Sequence, residues 1–201
     1  MSAALLIVDV QNDFCPGGSL AVPAGNVVVA VLNQYAAYFA QAGLPILASR
    51  DWHPAETTHF ATSGGPWPVH CVQGSFGAAF APALRLPAQT TVVSKGMGAE
   101  EDAYSAFQAK DELGRRLADL LRERRVERVY VGGLATDYCV KATVLDALAS
   151  GFATTFLVDA SRGVNLQPGD AEAAIAAMIR AGAAVVTLEW LAESVGAPVA
   201  Q

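Results

Sequence analysis

The feature that most constrains this chain is a repeated alternation of short apolar runs with stretches of helical period. Leu5-Leu6-Ile7-Val8 is apolar throughout and stops at Asp9. A run with no solvent face reads as a strand covered on both sides, as parallel sheets require. From Asn26 onward, Val28, Val31, Leu32, Tyr35 and Phe39 recur at the spacing of one helix face, and Gly43 stands where that helix should stop. The same alternation continues down the chain. Further strands are expected over residues 45–49, 90–94, 129–131, 153–158 and 184–188. Leu113, Leu117, Leu120 and Leu121 mark a second helix, whose charged end runs into Arg122–Arg128. Val140, Val144 and Leu148 mark a third. Ile175, Met178 and Ile179 mark a fourth, opened by Asp170 and closed by Gly182.

Six strands and about four helices in this order predict an α/β fold. Right-handed crossovers place helices on both faces of a six-stranded, mostly parallel sheet, a three-layer αβα and Rossmann-like arrangement. Composition fits one domain over residues 1–201. Apolar residues are 53% and charged residues 16%, the opposite of a disordered chain. The net charge of −6 offers nothing to nucleic acid or an anionic membrane surface. No apolar run approaches the ~18 residues of a membrane span. Cys15, Cys71 and Cys139 are an odd and sparse set, which suits single thiols in a reducing compartment. The N-terminus carries no basic segment ahead of its apolar run, so a cytoplasmic location is expected.

Ligands of parallel α/β sheets bind beyond the carboxyl ends of the strands. Asp9 ends the first strand, Asp51 follows the second with His53 two residues on, and Lys95 ends the third. Cys139 follows the fourth, at the start of a helix that Thr136 or Asp137 is placed to cap. An acid, a base and a thiol on one edge suit nucleophilic catalysis. A helix N-terminus and a nearby lysine lower a thiol's pKa, and the turn at Ala135–Cys139 offers amides to an oxyanion. All three histidines, His53, His59 and His70, lie in one stretch of the long segment between residues 50 and 89. With Asp51 they form an ordinary ligand set for Zn, Mn or Fe(II). Neither a Gly-Lys-Ser/Thr phosphate loop nor a Gly-x-Ser-x-Gly elbow occurs.

These residues carry a family resemblance. Leu6-Ile7-Val8-Asp9-Val10-Gln11-Asn12-Asp13-Phe14, Arg50-Asp51-Trp52-His53-Pro54, Trp67-Pro68-Val69-His70-Cys71, Lys95-Gly96, Asp102-Ala103-Tyr104-Ser105-Ala106-Phe107 and Gly133-Leu134-Ala135-Thr136-Asp137-Tyr138-Cys139-Val140 span nearly the whole chain. In this order they resemble the nicotinamidases (pyrazinamidases) of the isochorismatase-like cysteine hydrolase superfamily. The resemblance implies hydrolysis of nicotinamide to nicotinic acid and ammonia, in NAD salvage. Cys139 would be the nucleophile, Asp9 the general acid/base and Lys95 the residue that positions both. The amides of Ala135 and Cys139 would form the oxyanion hole, after a cis peptide at Leu134–Ala135. Phe14, Leu20, Trp67 and Tyr104, with Ala135, would wall the substrate. One divalent metal, zinc as the first expectation, would sit on Asp51, His53 and His70, with His59 either a fourth ligand or a bystander. Another small-amide or N-carbamoyl hydrolase of the superfamily is the alternative, which would not need the histidines. A non-catalytic, metal-stabilised binding domain is the remote one. Monomer and homodimer both remain open.

Overall fold

Alternation along the apolar runs explains the layers. In the computed structural model, which describes residues 2–195, the strands are β1 (Ala3–Val8), β2 (Ile46–Asp51), β3 (Thr91–Lys95), β4 (Arg128–Leu134), β5 (Ala153–Arg162) and β6 (Ala184–Val186). They form one sheet in the order β3-β2-β1-β4-β5-β6, with every neighbouring pair parallel. Leu5 and Ile7 point into one apolar cluster, Leu6 and Val8 into the other. Helices α1 (Val28–Gln41) and α5 (Leu188–Val195) cover the first through Leu32, Tyr35, Phe39 and Leu191. Helices α2 (Leu117–Glu123), α3 (Lys141–Ala149) and α4 (Asp170–Arg180) cover the second through Leu117, Leu121, Val144 and Met178.

The strand order reverses between β1 and β4. The chain leaves β1 toward α1 on one face and leaves β4 toward α3 on the other, which opens a crevice at the carboxyl ends. Gly133 makes that approach possible. At φ +128 it lies so close to β1 that a Cβ would stand 2.1 Å from the Val8 carbonyl oxygen.

Several boundaries differ from expectation. Leu113 is no helical residue. It is 73% exposed in a turn that Asp111 organises by accepting from the Leu113 and Arg115 amides. The last strand stops at Val186, and Leu188 opens α5, an unexpected helix whose first amide donates to Asp159 at 2.8 Å. Strand β5 runs on to Arg162 after a register shift against β4. Asp170 begins α4, but its carboxylate accepts from the Gln167 amide behind it and caps no helical N–H.

Candidate active site

Three strand ends and one turn bring the chemistry together. Asp9 follows β1 at φ +50, a left-handed conformation that few residues besides Gly, Asn and Asp adopt. Asp51 and Lys95 close β2 and β3 as register partners. Cys139 sits in a π-helical turn, Thr136–Val140, between β4 and α3. The cis peptide precedes it at Leu134–Ala135, as expected. Lys95, fully buried, is the hub. Its Nζ lies 2.9 Å from Asp9 Oδ2 and 3.6 Å from Cys139 Sγ, contacts Asp51 Oδ1, and donates to the Ala103 carbonyl at 3.2 Å. Asp9 Oδ1 accepts from the Ser49 hydroxyl at 2.7 Å, whereas Asp9 Oδ2 meets the Lys95 ammonium.

The expected helix cap is absent. Thr136 Oγ1 bonds Ser161 Oγ at 2.6 Å, and the Asp137 carboxylate accepts from the Val164 and Asn165 amides. Both side chains are spent on the end of β5 and the segment after it, and leave the turn's own amides uncapped.

Burial opposes every charge in this cluster, and its neighbours decide each outcome. Burial pushes Asp51 up, but the Lys95 ammonium and His53 override it and hold the carboxyl well below the usual range. For Asp9, burial prevails over Lys95, with the Asp51 charge beside it, and the carboxyl lies above its usual range. Burial also opposes the Lys95 ammonium, but Asp51, Asp9 and Cys139 raise it well above the ordinary lysine value. The Cys139 thiol is pushed well up by burial, which Lys95 opposes and Asp9 and Asp51 reinforce. This overturns the expectation of a thiolate made by a helix end and a lysine. The resting group is a thiol, and a carboxylate oxygen of Asp9 lies within 4.8 Å to receive its proton.

The histidines converge one step away. His53, His59 and His70 each place a ring nitrogen within 4.8 Å of the others. Asp51 Oδ2 lies 3.8 Å from His53 Nε2 and 3.9 Å from His70 Nε2. The residues fit a divalent cation. His53 Nδ1 faces the Gly96 carbonyl at 3.0 Å and His70 Nδ1 faces the Pro68 carbonyl at 2.7 Å. A carbonyl only accepts, so both Nδ1 atoms carry hydrogen and both Nε2 atoms keep a lone pair. His53 Nε2 is buried with no partner, as an unused ligand atom would be. Burial also lowers the pKa of His59 and His70, which keeps them neutral and able to ligate.

Cys139, His59 and His70 border one cavity of about 490 Å³ including its mouth, and Asp9, Lys95 and His53 lie buried behind them. All five residues expected to meet the substrate, Phe14, Leu20, Trp67, Tyr104 and Ala135, lie in its wall, together with Asp51, His59, His70 and Cys139. Val22, Ala103, Leu134, Tyr138 and Val164 complete it and were not foreseen. Tyr138 stands next to the thiol in sequence, which was the available signal. Val164 carried none, because β5 was expected to end before it.

Comparison with known proteins agrees with this architecture. A family model described as the isochorismatase domain matches residues 3–189. The nicotinamidase of Escherichia coli is 44% identical, over 93% of this chain and 96% of its own. The crystal structure of the Pyrococcus horikoshii pyrazinamidase in complex with zinc superposes with a TM-score of 0.87 at 42% identity, covering 94% of this chain and 100% of that one. A protein of L. infantum in complex with nicotinate follows at 0.82 and 35%, covering 94% and 93%. The match runs along nearly the full length of the chain that buries an acid, a lysine and a cysteine where its sheet reverses, and this chain belongs to the isochorismatase domain family.

Proposed function

We propose that this protein is a nicotinamidase, hydrolysing nicotinamide to nicotinate and ammonia through a thioester on Cys139. The observation that carries the reading is Cys139 on the wall of an aromatic-lined cavity, backed by the buried Lys95 that meets both its sulfur and Asp9. That cavity suits a flat ring with a small polar substituent. The similar proteins named nicotinamidase and pyrazinamidase support the same substrate class.

The steps follow from the proton inventory. Cys139 Sγ attacks the carboxamide carbon while its proton passes to Asp9, a carboxylate oxygen of which lies within 4.8 Å of the sulfur. Burial raises the Asp9 carboxyl, which makes its carboxylate a stronger base toward the thiol. The amides of Ala135 and Cys139 receive the oxyanion. Asp9 returns the proton to the departing nitrogen, and ammonia leaves. The carboxylate of Asp9 then takes a proton from water, which attacks the thioester. Collapse releases nicotinate and restores the thiol. Lys95 remains an ammonium throughout and holds the acid and the sulfur at a fixed separation.

Asp51, His53 and His70, with His59, would hold a divalent ion, with zinc the first expectation. When bound, that ion supplies a Lewis-acidic point for the pyridine nitrogen, which orients the ring without touching the scissile bond. Phe14 and Trp67 pack against the ring, with Leu20 and Tyr104 beside them. The product is a precursor for pyridine nucleotides, which places the reaction in NAD salvage.

Ammonia release from nicotinamide tests the reading. Wild type turns over, and Cys139→Ala loses at least about 10⁴-fold in kcat with an unchanged melting temperature. Chelation of the metal raises KM or removes activity. A metal-loaded wild type that releases no ammonia overturns the proposal.

A further inference from the structure

The three histidines are held in different ways. His53 and His70 rest Nδ1 on backbone carbonyls, of Gly96 and Pro68. His59 alone rests Nδ1 on a side chain, 3.1 Å from Asp102 Oδ1. The same short segment bears on three parts of the site. Ala103 accepts from Lys95, Tyr104 accepts from Trp67 Nε1 at 2.9 Å, and Asp102 meets His59. It is tied down close to His59, because Thr57 Oγ1 and the Thr58 amide both donate to the Ala99 carbonyl, at 2.8 and 2.9 Å.

We propose that Asp102 is a positioning residue of the metal centre, whose carboxylate fixes the ring of His59 so that this histidine serves as a ligand beside Asp51, His53 and His70. This rests on reading the histidine cluster as a metal site. A carboxylate acceptor on Nδ1 sets the tautomer with the hydrogen on Nδ1 and leaves Nε2 as the donor atom. It does so on a ring that His53, Phe60, Trp67, His70 and Tyr104 already pack against. The ring then stands 4.8 Å from His53 and 5.6 Å from His70, centroid to centroid. Asp102 is 62% exposed, so solvent screens its charge at a distance and the close approach to Nδ1 carries the effect. The arrangement makes His59 the one histidine of the three whose Nδ1 is met by a side chain.

The test is metal binding, read without turnover. Full-length protein is stripped with a chelator, then titrated with Zn²⁺ against a chromophoric competitor and with Co²⁺ by its visible spectrum. Wild type, Asp102→Asn, Asp102→Glu, His59→Ala, the double variant Asp102→Asn/His59→Ala and Glu100→Gln are compared. Glu100→Gln removes an equal charge from an exposed neighbour on the same segment. Asp102→Asn is expected to bind Zn²⁺ about 10- to 100-fold more weakly and to change the Co²⁺ spectrum toward that of His59→Ala. Asp102→Glu recovers part of the loss. The double variant is no weaker than His59→Ala alone, because both remove one interaction. The proposal is overturned by an Asp102→Asn protein that binds as wild type, by an equal loss in Glu100→Gln, or by losses that add in the double variant. Failure of wild type to bind either ion overturns instead the metal reading beneath it, and the melting temperature of each stripped variant identifies any loss due to unfolding.

Discussion

The two halves of the site are built on different supports. Asp9, Lys95 and Cys139 stand at or just beyond strand ends, so the sheet sets their spacing. His53, His59 and His70 stand in the long connection between β2 and β3, which holds only one short helical turn, Ala61–Ser63. Side-chain bonds do there what the strand ladder does for the trio. Gln11 bonds the Asp51 amide and carbonyl, each at 2.8 Å, and the Ala78 carbonyl at 2.9 Å. Asp13 accepts the Cys71 amide at 2.7 Å. The sheet-supported half therefore has many small supports, and the loop-supported half has a few large ones. Single substitutions should be able to remove the second half while leaving the first.

Gly96 gives the largest such effect. A Cβ there would stand 2.4 Å from His53 Cε1 and 2.6 Å from its Nδ1, and the φ of +64 is strained for any other residue. Gly96→Ala should push His53 out of place and weaken metal binding by about 100-fold, the upper range for disturbing a ligand's support. Alkylation of Cys139 by iodoacetamide should keep its wild-type rate. An alkylation rate that falls with the metal affinity would show that the two halves move together.

Ser49 probes the other half. Its hydroxyl is the only side-chain donor besides Lys95 that meets Asp9 among the described residues, and both residues are fully buried. Ser49→Ala leaves a buried carboxylate oxygen unpaired, at a cost of roughly 1–3 kcal/mol. The expected result is a kcat lower by about tenfold with KM and metal affinity unchanged. A raised KM with intact kcat would instead place Ser49 in substrate binding.

The same division governs what the sequence discloses. Strand ends are legible because a short unbroken apolar run and an abrupt polar residue mark them, so Asp9, Asp51, Lys95 and Cys139 can be found before any coordinates. Ser49 was within reach of the same rule. It lies two residues before Asp51 on one strand and so points to the same side. The clustering of the histidines was visible, but what holds each ring was not. Asp102 meets His59 across a turn that no periodicity announces. The protonation of Cys139 was misjudged for a related reason. A helix end and a lysine are local and readable, whereas the burial and the two carboxylates that outweigh them come from three strands folded together. Helix α5 escaped because Val185, Val186 and Leu188 continue an apolar run across a strand end into a helix start.

The smallest effect lies at the rim, where the two supports meet. Trp67 comes from the loop half, and its Nε1 donates to Tyr104 Oη at 2.9 Å. Tyr104 follows the segment that contacts Lys95 through Ala103. The rings of Trp67, Tyr104 and Tyr138 stand edge to face or stacked at 5.3 to 6.4 Å, so the indole is held by packing as well as by its hydrogen bond. Both partners of that bond are half-buried, and water can replace the lost phenol. Tyr104→Phe should therefore raise the KM for nicotinamide by only about threefold, within the range for one neutral hydrogen bond, and leave kcat in place. Steady-state ammonia release decides it. An equal fall in kcat and kcat/KM would mean that the rim bond is made in the transition state alone, and that the loop half takes part in the chemical step as well as in holding the ring.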